Sequence, residues 1–297
     1  MYPIAFVTTC KGRLHHIQQT LPTIIAESPA EIILVDYGCP DNTGNWVEEH
    51  YPEVKVIRVN DDPGFCLPRA RNIGAAHSSS PWLCFIDADI KVKSGWLDWM
   101  RQHLEEGSFY RPSLAEGRQL QEIAGTFLCT RAAFTTARGY DEVFRGWGGE
   151  DIDLYARLPQ EGNAQPAYYP NQFVEPISHA DDERTTFHAI KNISIQSLIN
   201  SCYVKVKSHL RSFGIRDIPL ETRQHMLNSI SDQLKHHAVR PDTFAIRLQA
   251  HNLITVDNQL LDLELEIAKR RRYGFFGARK SQVRILGSAA KQTVAID

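Results

Sequence analysis

Roughly the first hundred residues alternate between two apolar patterns, and this alternation constrains the fold more than any other feature of the chain. Ile4 to Thr8, Glu31-Ile-Ile-Leu-Val-Asp36, Val54-Lys-Val-Ile-Arg-Val59 and Trp82-Leu-Cys-Phe-Ile-Asp87 are short apolar runs with the length and β-branched content of buried strands. Between them, Leu14, Ile17, Leu21 and Ile24 recur at helical spacing, and Leu67 to His77 reads as another helix. Near-continuous apolar strands alternating with helices describe a parallel sheet covered by helices on its faces. The expected class is α/β.

Gly95 to Glu106 places Trp96, Trp99, Met100 and His103 at helical spacing, and Ile123 to Cys129 reads as a further strand. The Gly146-Trp-Gly-Gly149 turn opens a helix near Asp151 to Leu158, with Glu150 and Asp151 in its first turn, where acidic side chains suit the helix dipole. Tyr168 to His179 reads as extended, and a boundary is expected at 180–185. Beyond Thr186 the pattern is mostly helical. One amphipathic stretch carries Ile190, Ile193, Ile195, Leu198, Ile199 and Val204, a second runs from Thr222 to His237, and a third from Leu253 to Arg272. The expected organisation is one domain over 1–184 and a mainly helical region over 185–297.

With 33 Lys plus Arg against 35 Asp plus Glu, the net charge of -2 gives no case for nucleic acid as a partner. Six scattered cysteines without a Cys-x-x-Cys pair argue against a zinc knuckle or a disulfide framework and fit a reducing compartment. The N-terminus lacks the basic leader of a signal peptide, and no run approaches the ~20 apolar residues of a membrane span. The expected location is cytoplasmic. Lys269-Arg-Arg-Arg-Tyr-Gly-Phe-Phe276 mixes basic and aromatic residues, as helix C-termini and peripheral membrane segments both do. The apolar stripes of the C-terminal region suit either a core or a homodimer surface.

Asp87-Ala-Asp89 closes the fourth strand. Residues two apart on a strand point to the same face, so both carboxylates can meet one ion. Their oxygens suit Mg2+ or Mn2+, which also take phosphate oxygens. A strand ending in a plain acidic turn has the same composition, but open α/β sheets do hold ligands at the carboxyl ends of their strands. His179 can complete an ion's shell as a neutral imidazole, or simply end a strand. Asp151 is the candidate base for an acceptor hydroxyl. Gly146, Gly148 and Gly149 permit unusual backbone angles and close approach of a ligand, and Trp147 offers a flat face for a sugar ring. The plainer reading of this run is a capped helix start. Asp36 can accept a base N–H or a ribose hydroxyl, or can hold an ordinary turn through Tyr37-Gly-Cys-Pro-Asp41. Arg69, Arg71 and Asn72 form a polar helix face, on which one guanidinium is a natural phosphate partner.

Taken in order, Val7-Thr-Thr-Cys-Lys-Gly-Arg13, Val35-Asp-Tyr-Gly-Cys-Pro-Asp41, Arg69-Ala-Arg-Asn-Ile-Gly74, Phe85-Ile-Asp-Ala-Asp89, Gly146-Trp-Gly-Gly-Glu-Asp151 and His179 resemble the family 2 type glycosyltransferases of GT-A fold. The resemblance covers roughly residues 3 to 185, and the Gly-Trp-Gly-Gly-Glu-Asp run is similar to a segment of galactosyltransferases and chondroitin polymerase. It implies a Rossmann-like mixed sheet flanked by helices, here followed by a helical C-terminal extension. It further implies that Thr8, Thr9 and Asp36 contact the nucleotide, with Asp36 reading uracil, and that Arg13, Gly38, Arg71, Trp147, Gly148 and Gly149 belong to the donor site. Asp87 and Asp89 match the Asp-x-Asp motif, Asp89 being the more direct ligand of Mn2+ or Mg2+, and His179 matches the later ligand histidine. Glu150 would hold a donor or acceptor hydroxyl, and Asp151 matches the base of the inverting members. The implied reaction moves a hexose or N-acetylhexosamine from a UDP-sugar to an acceptor hydroxyl.

Asp36-Tyr-Gly-Cys39 departs from the family's Asp-Asp-Gly-Ser, and there is no Gln-x-x-Arg-Trp motif of processive synthases. Three other readings remain open. A retaining GT-A enzyme shares Trp-Gly-Gly-Glu. A nucleotidyltransferase needs a richer glycine loop than Thr8-Thr-Cys-Lys-Gly-Arg13 offers. A non-catalytic carbohydrate-binding module would not need the acids at 87, 89, 150 and 151.

Overall fold

The computed structural model describes residues 3–114, 121–273 and 276–290. The chain divides into two compact units, Met1–Glu142 with Glu150–Ala189, and Val143–Gly149 with Ile190–Asp297.

The first unit is built on a seven-stranded sheet of order β3-β2-β1-β4-β7-β6-β8. Its strands are β1 (Ile4–Cys10), β2 (Glu31–Asp36), β3 (Lys55–Arg58), β4 (Trp82–Asp87), β6 (Ser108–Pro112), β7 (Phe127–Thr130) and β8 (Gln165–Tyr169). β3, β2, β1 and β4 run parallel, and β7 runs antiparallel to both β4 and β6. Every residue of β1 is buried because helices cover both faces. The alternation is visible in the packing: Ile4, Phe6, Trp82, Cys84 and Ile86 enter one core with Ile17, Leu21 and Ile24 of α1 (Leu14–Ala26). Ala5, Val7, Leu83 and Phe85 enter the core on the opposite face.

The chain leaves β1 towards β2 and β3, then returns through α3 (Leu67–Ala76) to β4 on the other side of β1. That reversal of strand order is where open α/β sheets bind ligands. Thr9 is paired with Asp87 and Cys10 with Asp36, so the carboxyl ends of three adjacent strands lie together there. A small second sheet joins β5 (Ile90–Val92) to β9 (Val174–Pro176). Beyond its last rung the Ile177 N–H donates to Asp89 O at 2.7 Å, which draws the 177–179 segment alongside the acidic turn.

In the second unit, α8 (Ile193–Ser212) and α9 (Leu220–Leu234) realise the first two amphipathic stretches beyond Thr186. Asn192 starts α8, its side-chain oxygen accepting from the Ile195 N–H. The helix expected over 253–272 is absent. Those residues belong to an antiparallel sheet of β10 (Phe244–Val256), β11 (Gln259–Tyr273) and β12 (Phe276–Ala290). The C-terminal part is thus two helices followed by three strands. Leu261, Leu263, Leu265 and Ile267 alternate with Asp262, Glu264 and Glu266, a period of two that also satisfies i, i+4 spacing and so resembles a helical stripe. The deciding signal is Asp257-Asn258, both at positive φ between the paired Val256 and Gln259, which is the geometry of a two-residue hairpin turn. The basic run from Lys269 therefore lies on a strand and does not end a helix. Residues 274 and 275 of its aromatic tail fall outside the described set. Among the described residues no helix is long and apolar enough to cross a membrane.

Candidate active site

A buried guanidinium organises the site. Arg71 projects from α3, and its side chain is 2% exposed. Nη2 donates to Asp87 Oδ1 at 2.7 Å, and Nη1 donates to Asp151 Oδ1 at 2.7 Å and to the Tyr140 hydroxyl at 3.0 Å. Tyr140 in turn donates to Asp151 Oδ1 at 3.0 Å, with its ring centroid 5.0 Å from the Arg71 guanidinium carbon. Asp87 ends β4, and Asp151 lies in the first turn of α6 (Glu150–Glu161). The fold has thus brought the Asp-x-Asp strand and the Glu-Asp helix to one point. The other two carboxylate oxygens, Asp87 Oδ2 and Asp151 Oδ2, both lie beside Gly125, where a Cβ would come within 2.9 Å and 3.4 Å of them. The phosphate-seeking role read for Arg71 meets a different environment: both its terminal nitrogens are engaged by carboxylates under the surface.

Asp89 and His179 form the second cluster. Asp89 Oδ2 lies 2.6 Å from His179 Nε2, and the imidazole is 3% exposed. The two are hydrogen-bonded to each other here, and a carboxylate oxygen and an imidazole nitrogen are ligand types that suit Mn2+ or a similar divalent ion. Asp87 turns one oxygen to Arg71, so it stands beside this pair without closing a three-residue cage. Burial, then the nearby Asp87, raises Asp89 above the usual carboxylate range, while His179 opposes the shift. Arg13 clamps the 179–185 segment by donating to the Glu183 carboxylate and, at 3.0 Å, to the Glu183 carbonyl. His15 and His16 also flank Glu183. This gives Arg13 a role in holding the loop that carries His179.

The residues expected around the nucleotide lie at the ends of β1 and β2. Thr8 and Thr9 are buried. Asp36 is committed to its own turn: Oδ1 accepts from the Cys39 N–H at 2.7 Å and Oδ2 from the Gly44 N–H at 2.9 Å. Any uracil contact must use its remaining lone pairs. Gly38 adopts φ +63 in the same turn, with Val59 O 3.3 Å from where a Cβ would sit.

Trp147, Gly148 and Gly149 fall in the second unit. All three glycines of the run have positive φ. The close approach expected of a ligand is made at Gly146 and Gly149 by α8, where a Cβ would lie 2.6 Å from Gln196 and 2.9 Å from Asn200. Gly148 faces open space. The fully buried Asn200 amide donates to the carbonyls of Arg145, Trp147 and Gly148 at 3.1, 3.2 and 2.6 Å.

Glu150 and Asp151 are both shifted. Burial, reinforced by Asp151, pushes Glu150 up to about 8, and Oε2 has no hydrogen-bond partner among the described residues. Burial also raises Asp151, against the opposing pull of Arg71 and the Tyr140 hydrogen bond. Buried carboxyls with raised pKa values cluster at functional sites.

Residues 5–110 match the family described as glycosyl transferase family 2, and residues 116–177 match the N-terminal domain of galactosyltransferase. The first unit has the GT-A fold, and its residues 5–110 match the family 2 glycosyltransferase model. The chain is 25% identical over 188 residues to the pre-mycofactocin glycosyltransferase of Mycobacterium tuberculosis, covering 52% of this chain and 38% of that protein. It is 24% identical over 265 residues to the validoxylamine A glucosyltransferase of Streptomyces hygroscopicus, covering 69% of this chain and 61% of that one. The match thus spans little more than a third of the first relative's length and under two thirds of the second's. Among solved structures, S. aureus TarS in complex with UDP-GlcNAc superposes with a TM-score of 0.54 at 11% identity, over 78% of this chain and 73% of that one. That likeness is one of fold.

Three supporting residues of this site carry no motif of their own. Tyr140 and Gly125 lack any local motif, and Asn200 lies in what reads as an ordinary amphipathic helix. Asn200 did carry a signal, because a polar residue on the apolar face beside Ile199 and Tyr203 needs buried partners.

Proposed function

We propose that this chain transfers a hexose or N-acetylhexosamine from a UDP-sugar to an acceptor hydroxyl with inversion at the anomeric carbon. The observation that carries the reading is the junction of Asp87 and Asp151 on one buried arginine, which sets the donor-side acid and the candidate base in one site. The family matches and the UDP-GlcNAc complex of TarS support the donor class.

Asp151 is the base. It takes the acceptor proton as the hydroxyl oxygen bonds to C1 of the sugar, and the C1–O bond to the diphosphate breaks with its electron pair leaving on UDP. Inversion follows when the hydroxyl attacks from the face opposite the diphosphate. Glu150, held neutral by burial, accepts or donates a hydrogen bond to a sugar hydroxyl without adding repulsive charge next to Asp151. Asp89 and His179, with Asp87 beside them, would hold a divalent cation, which would supply charge neutralisation to the departing diphosphate. The Arg13–Glu183 clamp keeps His179 in place for that purpose.

Asp151→Asn tests the base. It should bind UDP with Mn2+ as the parent does, while sugar transfer falls by about 10²–10⁴. Transfer at the parent rate would remove Asp151 from this role.

A further inference from the structure

Arg71 bridges Asp87 and Asp151, and a glycine that needs no unusual backbone packs tightly beside its guanidinium. We infer that Arg71 is a positioning residue that couples donor binding to base placement, and that Gly125 lacks a side chain so that Arg71 and both carboxylates can pack against it. This deepens the proposed function and rests on Asp151 being the base.

The geometry is specific. Each terminal nitrogen of Arg71 fixes one oxygen of one carboxylate at 2.7 Å, leaving the second oxygen of each beside Gly125. A planar fork with fixed donor directions aligns two carboxylates at once, which a lysine ammonium cannot do. Tyr140 locks the arrangement by contacting both Arg71 and Asp151. A guanidinium spent in this way is not free to meet a phosphate, so its effect on the donor passes through Asp87. Gly125 has no positive φ to account for its lack of a side chain. A Cβ there would fall 2.8 Å from Arg71 Nη2 and 2.9 Å from Asp87 Oδ2, inside contact distance. The glycine is explained by what crowds it.

The test separates donor affinity from turnover in the full chain. UDP binding with Mn2+ is followed by calorimetry, and turnover as UDP release from whichever of UDP-glucose, UDP-galactose and UDP-N-acetylglucosamine is cleaved fastest. Losing a charge-assisted bond at each end, Arg71→Ala should weaken UDP–Mn2+ binding about tenfold and lower turnover at saturating donor about a hundredfold or more. Arg71→Lys keeps the charge but not the fork, and should show both losses in smaller degree. Gly125→Ala, whose backbone is undemanding, should reproduce the double loss if Arg71→Ala does not fold. Tyr140→Phe should lower turnover about tenfold with UDP binding intact.

Weaker UDP binding with unchanged turnover in the Arg71 variants would make Arg71 a phosphate contact and overturn the inference. Lower turnover with unchanged UDP binding would make it a partner of Asp151 alone, and no change in either would make it a core residue; both also overturn it. Asp151→Asn is the control. Parent-like turnover there removes the base reading, while the UDP affinity of the Arg71 variants still reports the link to Asp87.

Discussion

Glu150 is buried at the start of α6 with one carboxyl oxygen unpartnered among the described residues, and its charge state couples folding to pH. Burial raises its pKa to about 8 from its ordinary 4.5. The folded protein therefore holds a proton through that interval that the unfolded chain has released. The associated stability is fully present below the unfolded value and is lost as pH rises through about 8. Glu150→Gln is neutral at every pH, so its melting temperature should fall less than the parent's between about pH 5 and about pH 9. Parallel curves for the two proteins would show that Glu150 is ionised throughout. At this scale the side chains that the fold gathers near Arg71 and His179 were legible because Asp, His and Gly recur in a known order at strand and helix ends. Tyr140 and Gly125 were not, since their importance comes only from which atoms the fold sets against them. Arg71 was visible as polar, but its burial between two acids was not.

Elements were legible where the pattern had one solution. β1, β2 and β4 read directly as β-branched or apolar runs, and α1 and α3 as helical stripes between them. β5, β6 and β9 are short, and β6 ends in Pro112, so none offers enough residues for a period to show. β11 satisfied two periods at once, and only the turn before it decided the matter. The packing of α3 on the sheet gives a direct test. A Cβ on Gly74 would lie 2.3 Å from Val7 Cγ1, so this glycine sets how closely the helix carrying Arg71 approaches β1. Gly74→Ala should destabilise the protein by ~1–3 kcal/mol through overpacking, read as a lower urea midpoint. An unchanged midpoint would mean that the helix can slide without cost.

Across the whole molecule, the two units are interleaved in sequence. Val143–Gly149, immediately before the Glu150–Asp151 pair, packs with the second unit. Phe144 is 1% exposed in that unit's core and meets Tyr203 edge-on, and Asn200 holds three carbonyls of the same segment. The C-terminal region thus supports the turn that leads into α6, a relation that a boundary drawn near 184 does not reveal. A chain cut after Ala189 should leave Val143–Gly149 without its second-unit partners. It should melt at least several degrees below the full protein, because the buried Phe144 alone is worth ~3 kcal/mol or more against its truncation. A truncated chain that melts with the parent would show that the segment does not need its second-unit partners.

The acids gathered by Arg71, together with Asp89 and His179, are proposed to form a metal-dependent site for a UDP-sugar. UDP release from a panel of UDP-sugars, measured with Mn2+ and again after chelation, tests it most directly. Release from at least one donor is expected, abolished by the chelator and restored by added Mn2+. Release that continues undiminished in the chelator, or pyrophosphate formed from a nucleoside triphosphate and a sugar phosphate with no UDP from any donor, would contradict it.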